Sequence, residues 1–117
     1  MYHGRITKAR KKQRALSGGV FAETQIGEDK QKKVRTHGNS SKNKLMKAKR
    51  ANVLLEGKHV LCEILTVQEN PANRDYTRRN IITKGAVLTA KTPDGKELKV
   101  RVTSRPGQHG LLNGIAL

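Results

Sequence analysis

The tightest constraint on this chain is the placement of its apolar residues. In KELKVRVTSR (96–105), Leu98, Val100 and Val102 alternate with Lys99, Arg101 and Thr103. Alternation with a period of two is what a strand with one buried face requires. TPDGK (92–96) brings Pro, Asp and Gly together and predicts a turn, closing a hairpin with AVLTAK (86–91). NVLLEGKHVLCEILTVQE (52–69) predicts a second hairpin with Gly57 in its turn. In HVLCEILTV (59–67) both alternating sets are largely apolar, which predicts a strand buried on both faces or central in its sheet. LLNGIAL (111–117) predicts a last short strand. Val, Ile, Leu and Cys fill 20 of the last 67 positions, so the core is C-terminal, and 117 residues suffice for one domain with one modest core. The expected fold class is mainly β, a small barrel or sandwich of short antiparallel strands with an extended basic N-terminal tail.

The positive charge lies at the other end. Residues 1–50 carry 15 Lys and Arg against 3 Asp and Glu, a net of 15 − 3 = +12, whereas residues 51–117 carry 10 against 6, a net of +4. The total of +16 costs stability through self-repulsion and calls for a polyanionic partner. The first 22 residues read as a basic tail, since six basic residues between Arg5 and Arg14 without apolar periodicity predict a segment ordered only by its partner. Residues 23–117 read as the β domain, divided into a basic hairpin over 30–50, with THGNSSKN (36–43) as its loop, and the apolar core over 51–117. A short helix over 42–50 is the alternative to the second strand of that hairpin.

Other classes are poorly served. The apolar runs are too short to span a bilayer, no amphipathic stretch fits a membrane surface, and MYHGRITKAR lacks the apolar segment of a secretory signal. A single cysteine, Cys62, excludes an internal disulfide and suits a reducing compartment. His59 and Cys62 have a ligand-like spacing, but positions three apart on a strand point to opposite faces, and a structural zinc needs four ligands. Cys62 and Ser104 lie in no nucleophile motif, and no phosphate-loop pattern occurs. No metal and no catalytic residue are therefore expected. With Trp absent and only Tyr2, Phe21 and Tyr76 as aromatics, phosphate and shape recognition is favoured over base stacking. GQHG (107–110) fits the G-x-x-G clamp of a KH domain but follows a strand, so it reads better as a glycine-bearing turn able to approach phosphate.

In ENPANRDYTRRNIITKGA (69–86), Asn70-Pro71 and Asn73 predict a tight loop. Arg78 and Arg79 are expected to alternate across a strand beginning at Ile81, one pairing with Glu69 or Asp75 and at least one meeting phosphate through its planar fork.

NPANRDYTRRNIITKGA (70–86) and VRVTSRPGQHG (100–110) resemble two signature stretches of the eukaryotic-type S-eight family of small-subunit ribosomal proteins. IGEDKQKKVRTHGNSSKNK (26–44) is similar to the family's first basic hairpin and YHGR (2–5) to its start, while GNSSK (38–42) and His109 depart from its pattern. The resemblance implies a structural component of the small subunit that binds ribosomal RNA and touches neighbouring small-subunit proteins in the cytoplasmic ribosome. It also implies a mostly β body with no enzymatic activity, cofactor, small-molecule substrate or membrane, and the compact length implies an archaeal source. The RNA-binding set expected from charge and resemblance together is Arg5, Lys8, Arg10, Lys11, Lys12 and Arg14 in the tail; Lys32, Lys33, Arg35, Lys42, Lys44 and Lys47 in the hairpin; and Arg78, Arg79, Lys84 and Arg105. An assembly factor with the same domain and an architectural DNA-binding protein are the alternatives.

Overall fold

Short strands expose unpaired edges unless the sheet closes on itself, and the computed structural model, which describes residues 3–5, 13, 15–16 and 18–117, shows such a closure. In chain order its strands are β1 (Gln25–Ile26), β2 (Lys30–Arg35), β3 (Ser41–Ala48), β4 (Arg50–Leu55), β5 (Lys58–Glu69), β6 (Val87–Lys91), β7 (Glu97–Val102) and β8 (Asn113–Ala116). A short helix α1 (Arg74–Arg78) lies between β5 and β6, and α2 (Pro106–His109) lies between β7 and β8. Strands β4 to β8 form a closed barrel, and β1, β3 and β2 form a separate three-stranded sheet with β3 in the centre. The expectation of a small, mainly β body is borne out.

Both hairpins of the C-terminal part form as expected. Strands β6 and β7 pair from Val87↔Arg101 to Lys91↔Glu97, and the Thr92 hydroxyl closes their turn by accepting from the Lys96 amide at 3.1 Å. Strands β4 and β5 pair from Arg50↔Glu63 to Leu55↔Lys58 across a two-residue turn whose members, Glu56 and Gly57, both have positive φ. That backbone matches the natural twist of a hairpin. The segment 42–50 is strand rather than helix over Ser41–Ala48, pairing with β2 from Lys30↔Lys47 to Arg35↔Ser41. Two pairings are parallel, β1 with β3 and β4 with β8, and the second seals the barrel.

Strand β5 is central, paired with β4 on one edge and β6 on the other, but it is not buried on both faces. Cys62, Ile64 and Val67 are buried, but Leu61 and Leu65 remain 49% and 37% exposed, so only one face is covered. The pairing with β6 skips Leu65 between Ile64↔Ala90 and Thr66↔Thr89, and skips Gln68 before Glu69↔Val87. An extra residue at a bulge reverses which parity points inward. The inward set thus passes from Cys62 and Ile64 to Val67, and in one dimension this shift looks like a strand apolar on both sides.

The barrel interior is filled by Ala51, Val53, Cys62, Ile64, Val67, Leu88, Ala90, Val100 and Val102, with Leu45, Ala48, Ile82, Ala86 and Leu112 completing the core from outside the five strands. Burial pushes the Cys62 thiol up, which keeps it protonated and suits a packing role. His59 is exposed on the same strand, and no group of three metal-binding side chains occurs among the described residues.

Gly114 faces Val53 on one side and Val102 on the other at the closing strand, and a Cβ placed there would lie 2.4 Å from Val100 Cγ1 and 3.0 Å from the Arg101 carbonyl. Closure therefore demands the smallest residue at this position. Gly114→Ala is expected to lower the unfolding free energy by about 1–3 kcal/mol through overpacking, read as a lower urea midpoint.

Candidate nucleic-acid interface

The hairpin β2–β3 concentrates positive charge that nothing on the hairpin offsets. Its two strands, KQKKVR and SKNKLMKA, carry four and three cations and no acid. Lys30 stands opposite Lys47 and Lys32 opposite Lys44, and like charges directly opposed destabilise a sheet. Lys42, opposite Val34, shares a face with Lys32 and Lys44, while Lys33 and Arg35 occupy the other. Lys32, Lys33, Arg35, Lys42 and Lys47 are exposed and Lys44 is half-buried.

The barrel treats its charges differently. Arg50 is opposite Glu63, Glu63 opposite Lys91, and Lys91 opposite Glu97, so four strands carry an outer ladder of alternating sign. Opposite-charge pairs of this kind contribute roughly 0.2–1 kcal/mol each. Among the described residues, the hairpin strands are thus where cations gather without acids between them.

Contacts with the barrel fix the hairpin's position. Gln31 Nε2 donates to the Gly110 carbonyl at 2.9 Å, and Lys42 Nζ donates to Gln108 Oε1 at 2.8 Å. Gly110 ends α2 with φ +69°, and a Cβ there would lie 2.8 Å from Asn43 Cβ, so the helix end abuts β3 without a side chain between. Within α2 the Gln108 and His109 amides donate to the Arg105 carbonyl and the Gly110 amide to that of Pro106. The turn thus presents side chains, since these three amides are already bonded. Ser104, considered above as a nucleophile, has its hydroxyl bonded to the Leu111 carbonyl and the Asn113 amide, both at 2.9 Å.

The loop 69–86 is held by one buried asparagine. Asn70 Nδ2 donates to the Ile81 carbonyl (3.1 Å), while its Oδ1 accepts from the Ala72 amide (3.0 Å) and the Thr83 hydroxyl (3.1 Å). Asn73 caps α1 by accepting from the Asp75 amide at 3.0 Å. The expected strand from Ile81 does not form: Arg78 ends a helical turn, and Ile81 and Ile82 are buried in irregular backbone. The Ile81 amide donates to the Tyr76 carbonyl and the Ile82 amide to that of Thr24, both at 2.8 Å, so neither enters a ladder. Arg79 pairs with Glu23 at 2.6 Å rather than with Glu69 or Asp75. That pair fastens the segment entering β1, together with the buried Thr24 hydroxyl, which donates to the Leu45 carbonyl at 2.6 Å. Arg78 is exposed, beside Glu69 and Arg74.

Lys44, Lys84 and Arg105, from three separate parts of the sequence, meet around one hollow. Arg5 is exposed, while Lys8, Arg10, Lys11, Lys12 and Arg14 lie outside the described residues. The sequence reading passed over Lys30, which faces Lys47 and extends the hairpin's cationic stripe, although its place in KQKK was a usable signal. It also passed over Phe21, which the fold brings to the hollow and which no local pattern marks.

The family model for ribosomal protein S8e matches residues 2–117. The chain belongs to the ribosomal protein S8e family. Three archaeal relatives, each named small ribosomal subunit protein eS8, agree with this. The one from Methanobrevibacter smithii is 46% identical over 110 residues, covering 92% of this chain and 84% of the relative. The one from Methanoregula boonei is 43% identical, covering 97% and 89%, and the one from Haloarcula marismortui is 42% identical, covering 96% and 87%. Membership in this family makes the protein a structural ribosomal component and not an enzyme. The resemblance read from the signature stretches, including the archaeal assignment, is borne out.

Two outcomes are expected. Asn70→Ala, which strips partners from Ile81, Ala72 and Thr83, should cost about 1–3 kcal/mol of stability by urea unfolding. Because the opposed lysines repel, the melting temperature of the RNA-free chain should rise between low and moderate NaCl; a fall would show that attractive pairs dominate its surface.

Proposed function

We propose that the chain fastens ribosomal RNA of the small subunit by neutralising backbone phosphates, acting in the cytoplasmic ribosome. The observation that carries this is the hairpin β2–β3, which holds seven cations and no acid in a fixed antiparallel register on a rigid barrel. A lysine array without acids attracts a polyanion at any sequence, and contacts to phosphate position a protein without reading bases. Lys32, Lys33, Arg35, Lys42, Lys44 and Lys47 lie along the RNA backbone in this reading. Arg78, Lys84 and Arg105 add contacts from the loops, and Arg5, Lys8, Arg10, Lys11, Lys12 and Arg14 extend them through the N-terminal arm, residues 1–22, which takes its working conformation against the RNA. Arg79 serves first to hold Glu23.

The barrel supplies rigidity. A cation on a fixed strand loses less freedom on binding than one on a mobile loop, so more of the Coulomb attraction survives as affinity.

Salt titration tests the proposal. The logarithm of affinity for small-subunit ribosomal RNA should fall linearly with the logarithm of salt concentration, and replacing Lys32, Lys33, Lys42 and Lys47 together by Gln should reduce the slope by about one unit per residue. A wild-type slope near zero would overturn the phosphate reading. Retention in washed small subunits distinguishes a resident component from a transient assembly factor.

A further inference from the structure

The hollow ringed by Lys44, Lys84 and Arg105 has an apolar floor. Phe21, Ile82 and Pro106 line it, and its volume is about 310 Å³. No acid is among its lining residues, whereas the hollow beside Asn70 includes Glu69 and the one over Cys62 includes Glu63. A cavity of this size lies at the small end of ligand sites, roughly 300–1,000 Å³. Three cations around an apolar surface match a ligand that is flat and apolar at its centre and anionic at its ends.

The walls are fastened. Phe21 is half-exposed, and its ring centroid lies 5.7 Å from that of Tyr76 at an interplanar angle of 42°. Two residues further on, Glu23 is gripped by Arg79 and Thr24 is tied to Leu45 and Ile82. On the far side Gly107 packs toward Ala22, where an added Cβ would come within 3.6 Å of the Ala22 Cβ. Gln108 is held by Lys42. Two of the chain's three aromatic residues, Phe21 and Tyr76, are thus spent here. A stacking platform needs such support, because a ring free to swing loses rotamer entropy when a base lands on it.

We propose that this hollow takes one unpaired nucleotide of the ribosomal RNA, its base on Phe21 and the apolar floor and its flanking phosphates on Lys44, Lys84 and Arg105. The inference rests on the RNA-binding reading above and adds to it a place where the protein recognises an unpaired residue of the RNA. Elsewhere its cations meet phosphate regardless of pairing.

The test uses the full chain with two probes, small-subunit ribosomal RNA and a blunt, fully paired RNA duplex. Phe21→Leu keeps an apolar side chain but removes the aromatic face, and should weaken binding to the ribosomal RNA about 5- to 150-fold at fixed salt while changing duplex binding less than about twofold. Phe21→Tyr, which restores the face, should bind the ribosomal RNA within about threefold of wild type. Lys84→Gln should lower the salt slope on ribosomal RNA by about one unit. The proposal is overturned if Phe21→Leu binds ribosomal RNA as wild type does, if both probes lose affinity equally, or if Phe21→Tyr loses as much as Phe21→Leu. Should wild type bind neither RNA at low salt, the broader reading falls, and this one with it; if wild type binds and only the Phe21 pattern fails, the broader reading stands.

Discussion

Repulsion among side chains of one sign governs this molecule. Nine acids cannot offset 25 Lys and Arg, which leaves 25 − 9 = +16 on 117 residues, and among the described residues the fold meets the problem by separation. The acids that lie across from cations, Glu63 and Glu97, are built into a ladder on the barrel with Arg50 and Lys91. The hairpin, with a buried anchor at its base in Leu45 and Ala48, carries seven cations and no acid on its two strands. The barrel can then hold a conventional apolar core while the hairpin remains a cationic arm.

Separation works only if the arm is held at a fixed angle, and buried polar groups accomplish this. Thr24 and Asn70 are both buried and both hydrogen-bonded, and no buried side-chain polar atom is left without a partner among the described residues. Satisfied buried polar groups specify one arrangement, because any other would leave a donor or acceptor stranded. The Arg79–Glu23 ion pair, half in solvent, adds direction more than energy, being worth about 0–1 kcal/mol. Through these contacts the loop 69–86, which in sequence looks like a phosphate clamp, serves as the bracket that joins arm, barrel and entering chain.

Much of this was legible in the sequence where the cause is local. Alternation at Leu98, Val100 and Val102 and the turn at 92–96 each depend on neighbours a few positions apart, and each recurs in the fold. The failures are nonlocal. Leu65 and Gln68 become bulged only because β6 skips them, so the reversed parity of β5 has no local mark. Ile81 and Ile82 have strand-like composition, yet the Asn70 side chain and the Thr24 backbone fix them in a loop. The partner of Arg79 stands 56 positions earlier, and Lys44, Lys84 and Arg105 converge only after the barrel closes.

A density map of the intact small subunit tests the central claim most directly. The account predicts that phosphate oxygens lie against the Lys32, Lys33 and Lys42 side chains of the hairpin, while the face bearing Glu63 and Glu97 is turned away from RNA. Finding the hairpin in solvent or against protein, with the Glu63–Glu97 face on the RNA, would contradict it.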